Sequence, residues 1–168
     1  MSYITVVLHP SFNKAGFSCG KNMLDDYLHK QAGQDIKRKL CAVFVLLHEK
    51  TTIKGYYSLS NNSIPRESVP TEIMNKMPKS YTNLPTTLLG RLAIDKNFMR
   101  LGLGELLLLD ALKRSLDVTT NSIGSIAVVV DPLDKEATDF YFKYGFIKLP
   151  DSGRMFLPMK TIAKLFGQ

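Results

Sequence analysis

Met99-Arg100-Leu101-Gly102-Leu103-Gly104-Glu105 has the residue types and spacing of an anion-binding turn. Glycines at alternate positions let a backbone approach a ligand closely and take positive φ where amides must converge. The apolar run from Leu88 to Ile94 reads as a strand, and strong helix formers fill Leu103 to Leu116. A strand turning into a helix leaves unpaired amides at the positive end of the helix dipole, which holds phosphate. Arg100 offers a direct charge-assisted contact to the same anion. Two nucleotide-binding spacings fail here. The dinucleotide fingerprint needs a third glycine where Leu107 stands, and a P-loop needs Lys then Ser or Thr where Glu105 and Leu106 stand. For a bare Gly-x-Gly, a tight turn and nothing more is the plainer account.

Other residues offer less by themselves. Phe140, Tyr141 and Tyr144 fall at helical spacing, so periodicity alone makes Tyr141 a packing aromatic. Lys37, Arg38, Lys39, Arg91 and Lys96 suit the phosphates of a nucleic acid, although for Lys37 to Lys39 alone a solvated basic face is the better account. His9, His29 and His48 are scattered, with no serine or cysteine arranged for nucleophilic work. Cys19 and Cys41 have no histidine at ligand spacing, so neither zinc nor a disulfide framework is expected and both read as reduced.

The elements that must position these groups follow from patterning. Residues 1–8 read as a first strand. Met23 to Gln31 is an amphipathic helix ending near Gly33. Cys41 to His48 and Ile53 to Ser60 form a hairpin. Prolines at 65, 70, 78 and 85 make Asn61 to Thr87 an insertion or substrate-facing loop with one short helix from Glu72 to Met77. Beyond the glycine turn come a strand from Ser125 to Val130 and a helix from Asp134 to Tyr144 with Asp134 as N-cap. A strand starting at Gly145, a last strand from Met155 to Met159 and a helix from Lys160 to Phe166 complete the order. The 168 residues suit one domain, 1–168, of α/β class.

With 22 basic against 15 acidic residues, the formal charge of +7 and pI near 9.4 favour an anionic partner. No apolar run approaches the ~20 residues that cross a bilayer. The N-terminus has no basic start before its short apolar stretch, so a cytoplasmic protein is expected.

Leu89-Gly90-Arg91-Leu92-Ala93-Ile94-Asp95, the glycine turn and Phe140-Tyr141-Phe142-Lys143-Tyr144-Gly145-Phe146 together resemble the Gcn5-related N-acetyltransferases. Within them the chain is similar to the bacterial toxin branch that acetylates aminoacyl-tRNA. Phe17-Ser18-Cys19-Gly20, Gly55-Tyr56-Tyr57-Ser58-Leu59 and Phe156-Leu157-Pro158-Met159 extend the likeness from about Phe17 to Met159. The resemblance implies a mixed, mostly antiparallel sheet with a splayed pair of central parallel strands, flanked by helices. It implies acetyl-coenzyme A as donor, held by Leu92, Ala93, Ile94, by Met99 through Glu105 and by Tyr144. Tyr141 becomes the general acid, and Lys37, Arg38, Lys39, Arg91 and Lys96 become contacts to tRNA. It further implies a ribbon-helix-helix antitoxin and a homodimer. Met99 departs from the family, which has Gln or Arg at that place, and Arg100 is expected to substitute. Two rivals stay open: an acetyltransferase of a small amine or protein N-terminus, and a degenerate, non-enzymatic binding partner.

Overall fold

Branched and aromatic side chains fit a pleated, half-buried surface, and they build most of the sheet in this computed structural model, which describes residues 2–150 and 152–168. The strands are β1 (Val6–Val7), β2 (Ala42–His48), β3 (Thr52–Pro65), β4 (Asn83–Ile94), β5 (Ala127–Val130), β6 (Ile147–Lys148) and β7 (Met155–Pro158). The helices are α1 (Asn22–Asp26), α2 (Ala32–Lys37), α3 (Thr71–Met74), α4 (Leu103–Asn121), α5 (Lys135–Lys143) and α6 (Met159–Leu165), with a π-helical turn at Tyr27–Gln31 joining α1 to α2. The sheet order is β1-β2-β3-β4-β5-β7-β6. Only β4 and β5 are parallel, in register at Thr87↔Val128, Leu88↔Val129 and Leu89↔Val130. There β5 ends, while β4 runs on to Ile94.

Two compact units divide the chain, one of Met1–Ser60 and Gly90–Arg114, the other of Asn61–Leu89 and Ser115–Gln168. In the first, Phe17, Tyr27, Leu28, Val43, Val45, Ile53, Tyr56 and Ala93 share a buried core. A polar knot also lies within it. The Asp110 carboxylate on α4, 8% exposed, accepts from Ile4 N at 2.8 Å, from the Thr5 hydroxyl, and from the Tyr57 hydroxyl at 2.7 Å. Arg114, one turn on, donates to Tyr57 Oη at 3.0 Å and lies between the rings of Tyr3 and Phe44. In the second unit, Ile64, Val69, Leu84, Ala127, Val129, Leu149 and Phe156 form the core.

Three expectations need correction. The first helical segment does not stop at Gly33 but continues to Lys37. Ala32 is buried and Ile36 packs on the core, which outweighs glycine's cost of about 1 kcal/mol. The stretch from Asn61 to Thr87 is not mainly a loop. β3 reaches Pro65 and β4 starts at Asn83, and Arg66 donates to the carbonyls of Met74, Met77 and Pro78, tying down the turn between them. Helix α4 extends past Leu116 to Asn121. The N-cap holds as read, since the Asp134 side chain accepts from Ala137 N at 2.9 Å.

Asp110→Ala would leave three donors and the Arg114 charge without their acceptor. It is expected to lower the unfolding free energy by about 3–5 kcal/mol, measured by urea titration, and a loss below about 1 kcal/mol would refute the knot's importance.

Candidate functional site

Strand β4 ends where Asp95 stops it. Asp95, 4% exposed, donates its amide to Lys54 O at 2.7 Å and accepts from Ser18 N at 3.0 Å and Asn97 N at 2.8 Å. The second acceptance caps the 3-10 turn Lys96–Phe98. Met99 follows at φ −68°, ψ 159°, then Arg100 at φ 64°, the dihedral pattern of a type II turn in which the second central residue is usually glycine. Gly102 takes φ 76°, and its carbonyl accepts the first helical bond, from Leu106 N. The amides of Leu103, Gly104 and Glu105 have no backbone partner among the described residues, as the start of a helix requires.

The surroundings of these amides suit an anion. A Cβ on Gly102 would find no atom within 4 Å, so the turn is open above its backbone, and only the positive φ demands glycine there. Arg100, Leu101 and Met99 are exposed around it. Arg100 has no partner among the described residues, so its charge is available to a bound phosphate. A phosphate group therefore fits, on amides and on one guanidinium.

Upstream, the amides of β4 divide between its two edges. Because Asp95 N bonds β3, strand alternation puts Ala93's amide on the β3 side and turns those of Leu92 and Ile94 to the other edge. Side chains alternate too. A Cβ on Gly55 would stand 2.8 Å from both Ile94 Cδ1 and Leu107 Cδ1, so Leu92 and Ile94 share the face covered by α4. Glycine at 55 is what permits that close packing. Ala93 and Arg91 lie on the opposite face, where the Arg91 guanidinium is 3.4 Å from the Tyr27 ring centroid.

In the second unit, α5 ends in a fixed geometry. Gly145 at φ 93° lets Phe146 N reach Tyr141 O and its own amide reach Phe142 O, the double bond of a Schellman cap. Phe146 thereby folds back on Tyr141, with ring centroids 5.2 Å apart. Phe140 packs the same ring from another side and also meets Tyr144. Tyr141 is 7% exposed, and its hydroxyl has no hydrogen-bond partner among the described residues. Burial raises its pKa above the ordinary tyrosine value, so the hydroxyl keeps its proton throughout the neutral range. That is the state of a proton donor.

Lys37 closes α2, Arg38 caps it, and Lys39 follows at φ 63°. All three are exposed, as is Lys96, and none forms an ion pair among the described residues. One expectation about histidine changes. Ser11 Oγ does lie 2.7 Å from His9 Nδ1, but the Ser11 amide donates to the same nitrogen, which makes an exposed local turn rather than a nucleophile. His29 Nε2 donates to Phe17 O. No cluster that could hold a metal occurs among the described residues, and no helix is long and apolar enough to cross a membrane.

Sequence reading does not find the roles of Asp95, Gly55, Tyr27 or Asp110. Asp95 has a signal, as an acidic residue two places before Asn97 at a strand end, the pattern of an Asx turn.

No protein-family model matches the chain. A curated relative, the tRNA-acetylating toxin of Mycobacterium tuberculosis, is 34% identical over 152 residues, covering 90% of this chain and 89% of that protein. Among solved structures, AtaT complexed with acetyl-methionyl-tRNAfMet is similar with a TM-score of 0.89 at 26% identity, over 98% of this chain and 99% of that one. AtaTR bound with AcCoA is similar with a TM-score of 0.85 at 27% identity, over 96% of each.

The two cysteines should differ in reactivity. Burial first, with Asp25 beside it, pushes the Cys19 thiol from 9.0 up to about 11, leaving about a hundredfold less thiolate at pH 8. Cys41 is half-buried. A thiol reagent at pH 8 should label Cys41 well before Cys19, and guanidinium should abolish the difference. Equal rates in the native protein would contradict the burial.

Proposed function

Because the chain belongs to the family of tRNA-acetylating toxins, within the Gcn5-related N-acetyltransferases, we propose that it moves the acetyl group of acetyl-coenzyme A to the α-amine of aminoacyl-tRNA and so blocks translation. The observation that carries this reading is the open turn at Gly102, with the unpaired amides of α4 behind it. The whole chain, 1–168, serves as one acetyltransferase domain. Its cytoplasmic setting, a ribbon-helix-helix antitoxin and a homodimer belong to the same proposal, and membership of the toxin family supports them.

Acetyl-coenzyme A, when bound, supplies an acetyl thioester and a pyrophosphate. The amides of Leu103, Gly104 and Glu105 hold the pyrophosphate, aided by Arg100, within the turn that Met99, Leu101 and Gly102 shape. Leu92 and Ile94 turn their amides toward the pantetheine, and one of them polarises the acetyl carbonyl, as preorganised donors do at developing negative charge. Ala93 keeps that strand seated in the core. Tyr144, packed on Phe140, lines the coenzyme.

An α-amine titrates near about 7.7–8.0, against about 10.4 for lysine, so an aminoacyl ester is partly neutral near neutral pH without a strong protein base. As the C–N bond forms and the C–S bond breaks, Tyr141 passes its proton to the sulfur and the amine loses one to water. Lys37, Arg38, Lys39, Arg91 and Lys96 grip the RNA backbone.

The direct assay is incubation with acetyl-coenzyme A and charged tRNA, with N-acetylaminoacyl-tRNA as the expected product. Tyr141→Phe should lower kcat by about 10²–10⁴ while the Kd for acetyl-coenzyme A stays within about twofold. Because burial keeps Tyr141 protonated, the wild-type rate should rise as the amine deprotonates and show no fall from Tyr141 up to about pH 9. An unchanged kcat in Tyr141→Phe removes its role.

Gly102→Val forces a branched side chain into a left-handed conformation. It should weaken acetyl-coenzyme A binding at least about tenfold, seen by calorimetry and by loss of the ligand-induced rise in Tm. Full binding by that variant would move the coenzyme elsewhere.

A further inference from the structure

Away from the glycine turn, the loop before α1 and the π-helical turn border a cavity of about 390 Å³, lined by Phe12, Asn13, Lys14, Ala15 and His29. All five residues belong to the first compact unit. The walls are held by the protein's own bonds. Asn13 N donates to Thr51 O at 2.9 Å, Phe12 N donates to His9 O at 3.0 Å, and Phe17 N closes a turn on Lys14 O at 3.1 Å. Asn13 Oδ1 accepts from Gly16 N at 3.0 Å. Phe12 packs on the buried core and beside His9, with ring centroids 5.9 Å apart. Small-molecule sites are concave, largely preformed and of this size.

The polar atoms that the walls leave unused define a ligand. Lys14 is half-buried, and its ammonium lies close to α2, where a Cβ on Gly33 would stand 3.4 Å from Nζ. No carboxylate among the described residues pairs with it. Because Asn13 Oδ1 is taken by Gly16, Nδ2 remains a donor with no acceptor among the described residues, and so does the amide of Ala15. Three donors, one of them charged, suit a terminal phosphate, whose three oxygens carry about −1.5 to −2 charge near neutral pH. His29 supplies the opposite function. Its Nε2 donates to Phe17 O at 2.7 Å, which fixes the tautomer and leaves Nδ1 to accept from a hydroxyl. Phe12 adds an aromatic surface for a planar ring. The π-helical turn that carries His29 is a distortion frequent at functional sites.

We propose that this cavity binds a free nucleoside monophosphate. The phosphate sits on Lys14, Asn13 Nδ2 and the Ala15 amide, a ribose hydroxyl donates to His29 Nδ1, and the base lies against Phe12. Inorganic phosphate would leave His29 and Phe12 without a contact, and a nucleoside triphosphate would bring its further charges to a single cation. A phosphodiester within an RNA strand offers one charge and two unbridged oxygens to three donors. The site is independent of the acetyl-transfer reading, because none of its residues belongs to that machinery.

The test is calorimetric titration of the full chain with adenosine 5′-monophosphate. One equivalent should bind, with the same Kd in the absence and presence of excess acetyl-coenzyme A. Lys14→Gln should weaken binding at least about tenfold, and Lys14→Arg, which keeps the cation, should stay within about threefold of wild type. Both variants should melt within about 2 °C of wild type without nucleotide, so the difference between them reads the site and not folding. Phe12→Leu should cost at least about fivefold. The 2′,3′-dideoxy analogue, which lacks the hydroxyls, should bind the wild type about two- to tenfold more weakly. Adenylyl-adenosine, which carries only a diester, should bind at least about tenfold more weakly. No binding by the wild type, displacement of the nucleotide by acetyl-coenzyme A, full affinity in Lys14→Gln, or equal binding of the diester would each overturn the proposal.

Discussion

The carboxylate of Asp95 determines where one strand stops and one helix can begin. Buried at the strand end, it accepts two backbone N–H groups from different parts of the chain, Ser18 and Asn97, while its own amide closes the ladder to Lys54. Bonds to a carboxylate are among the stronger ones available to a backbone N–H. They hold the exit of β4 against both its neighbouring strand and the loop before α1. The left-handed residues at 100 and 102 can then be placed in sequence, and α4 starts with its free amides collected at one point. The chemistry proposed for this turn uses backbone groups, so it depends less on which side chains occupy the turn than on this anchoring.

This dependence bears on Met99. Where relatives of the Gcn5 type are expected to carry a polar side chain, Met99 leaves its side chain exposed, 44% to solvent, and contributes an extended backbone to a type II turn. Arg100 accepts a left-handed conformation that costs a non-glycine residue about 1–2 kcal/mol. A glycine would remove that cost and the charge with it. The turn keeps its shape with a different division of labour between two adjacent residues.

Much of this architecture is legible in residue patterns. The passage from strand through glycine turn to helix, the Asp134 cap and the Tyr144-Gly145-Phe146 corner all obey local rules, since each is decided by residues a few places apart. What escapes is decided at long range or by mixed signals. Asn61, Asn62 and Ser63 are poor strand formers, yet they extend β3 because Ile64 beyond them is buried in the second core and Arg66 N closes the ladder to Thr82 O. Gly33 reads as a helix end because the π-helical turn before it shifts the apolar register that would otherwise continue through it. Asp110 interrupts a leucine-rich run in the sequence, and no periodicity reveals that donors from two other segments converge on it. The pairing of Arg91 with Tyr27 joins residues far apart in the chain and has no sequence signature at all.

The knot at Asp110 has a consequence for how the protein comes into being. Its partners Ile4 and Thr5 lie 106 and 105 residues away, and the unit they close is interrupted in sequence by residues 61–89. In a chain emerging from the ribosome with its N-terminus first, β1 can pair with β2 early, but the bonds of Ile4 and Thr5 to Asp110 must wait until that part of α4 has been translated. Only then can the first unit shut and the turn before α4 be seated.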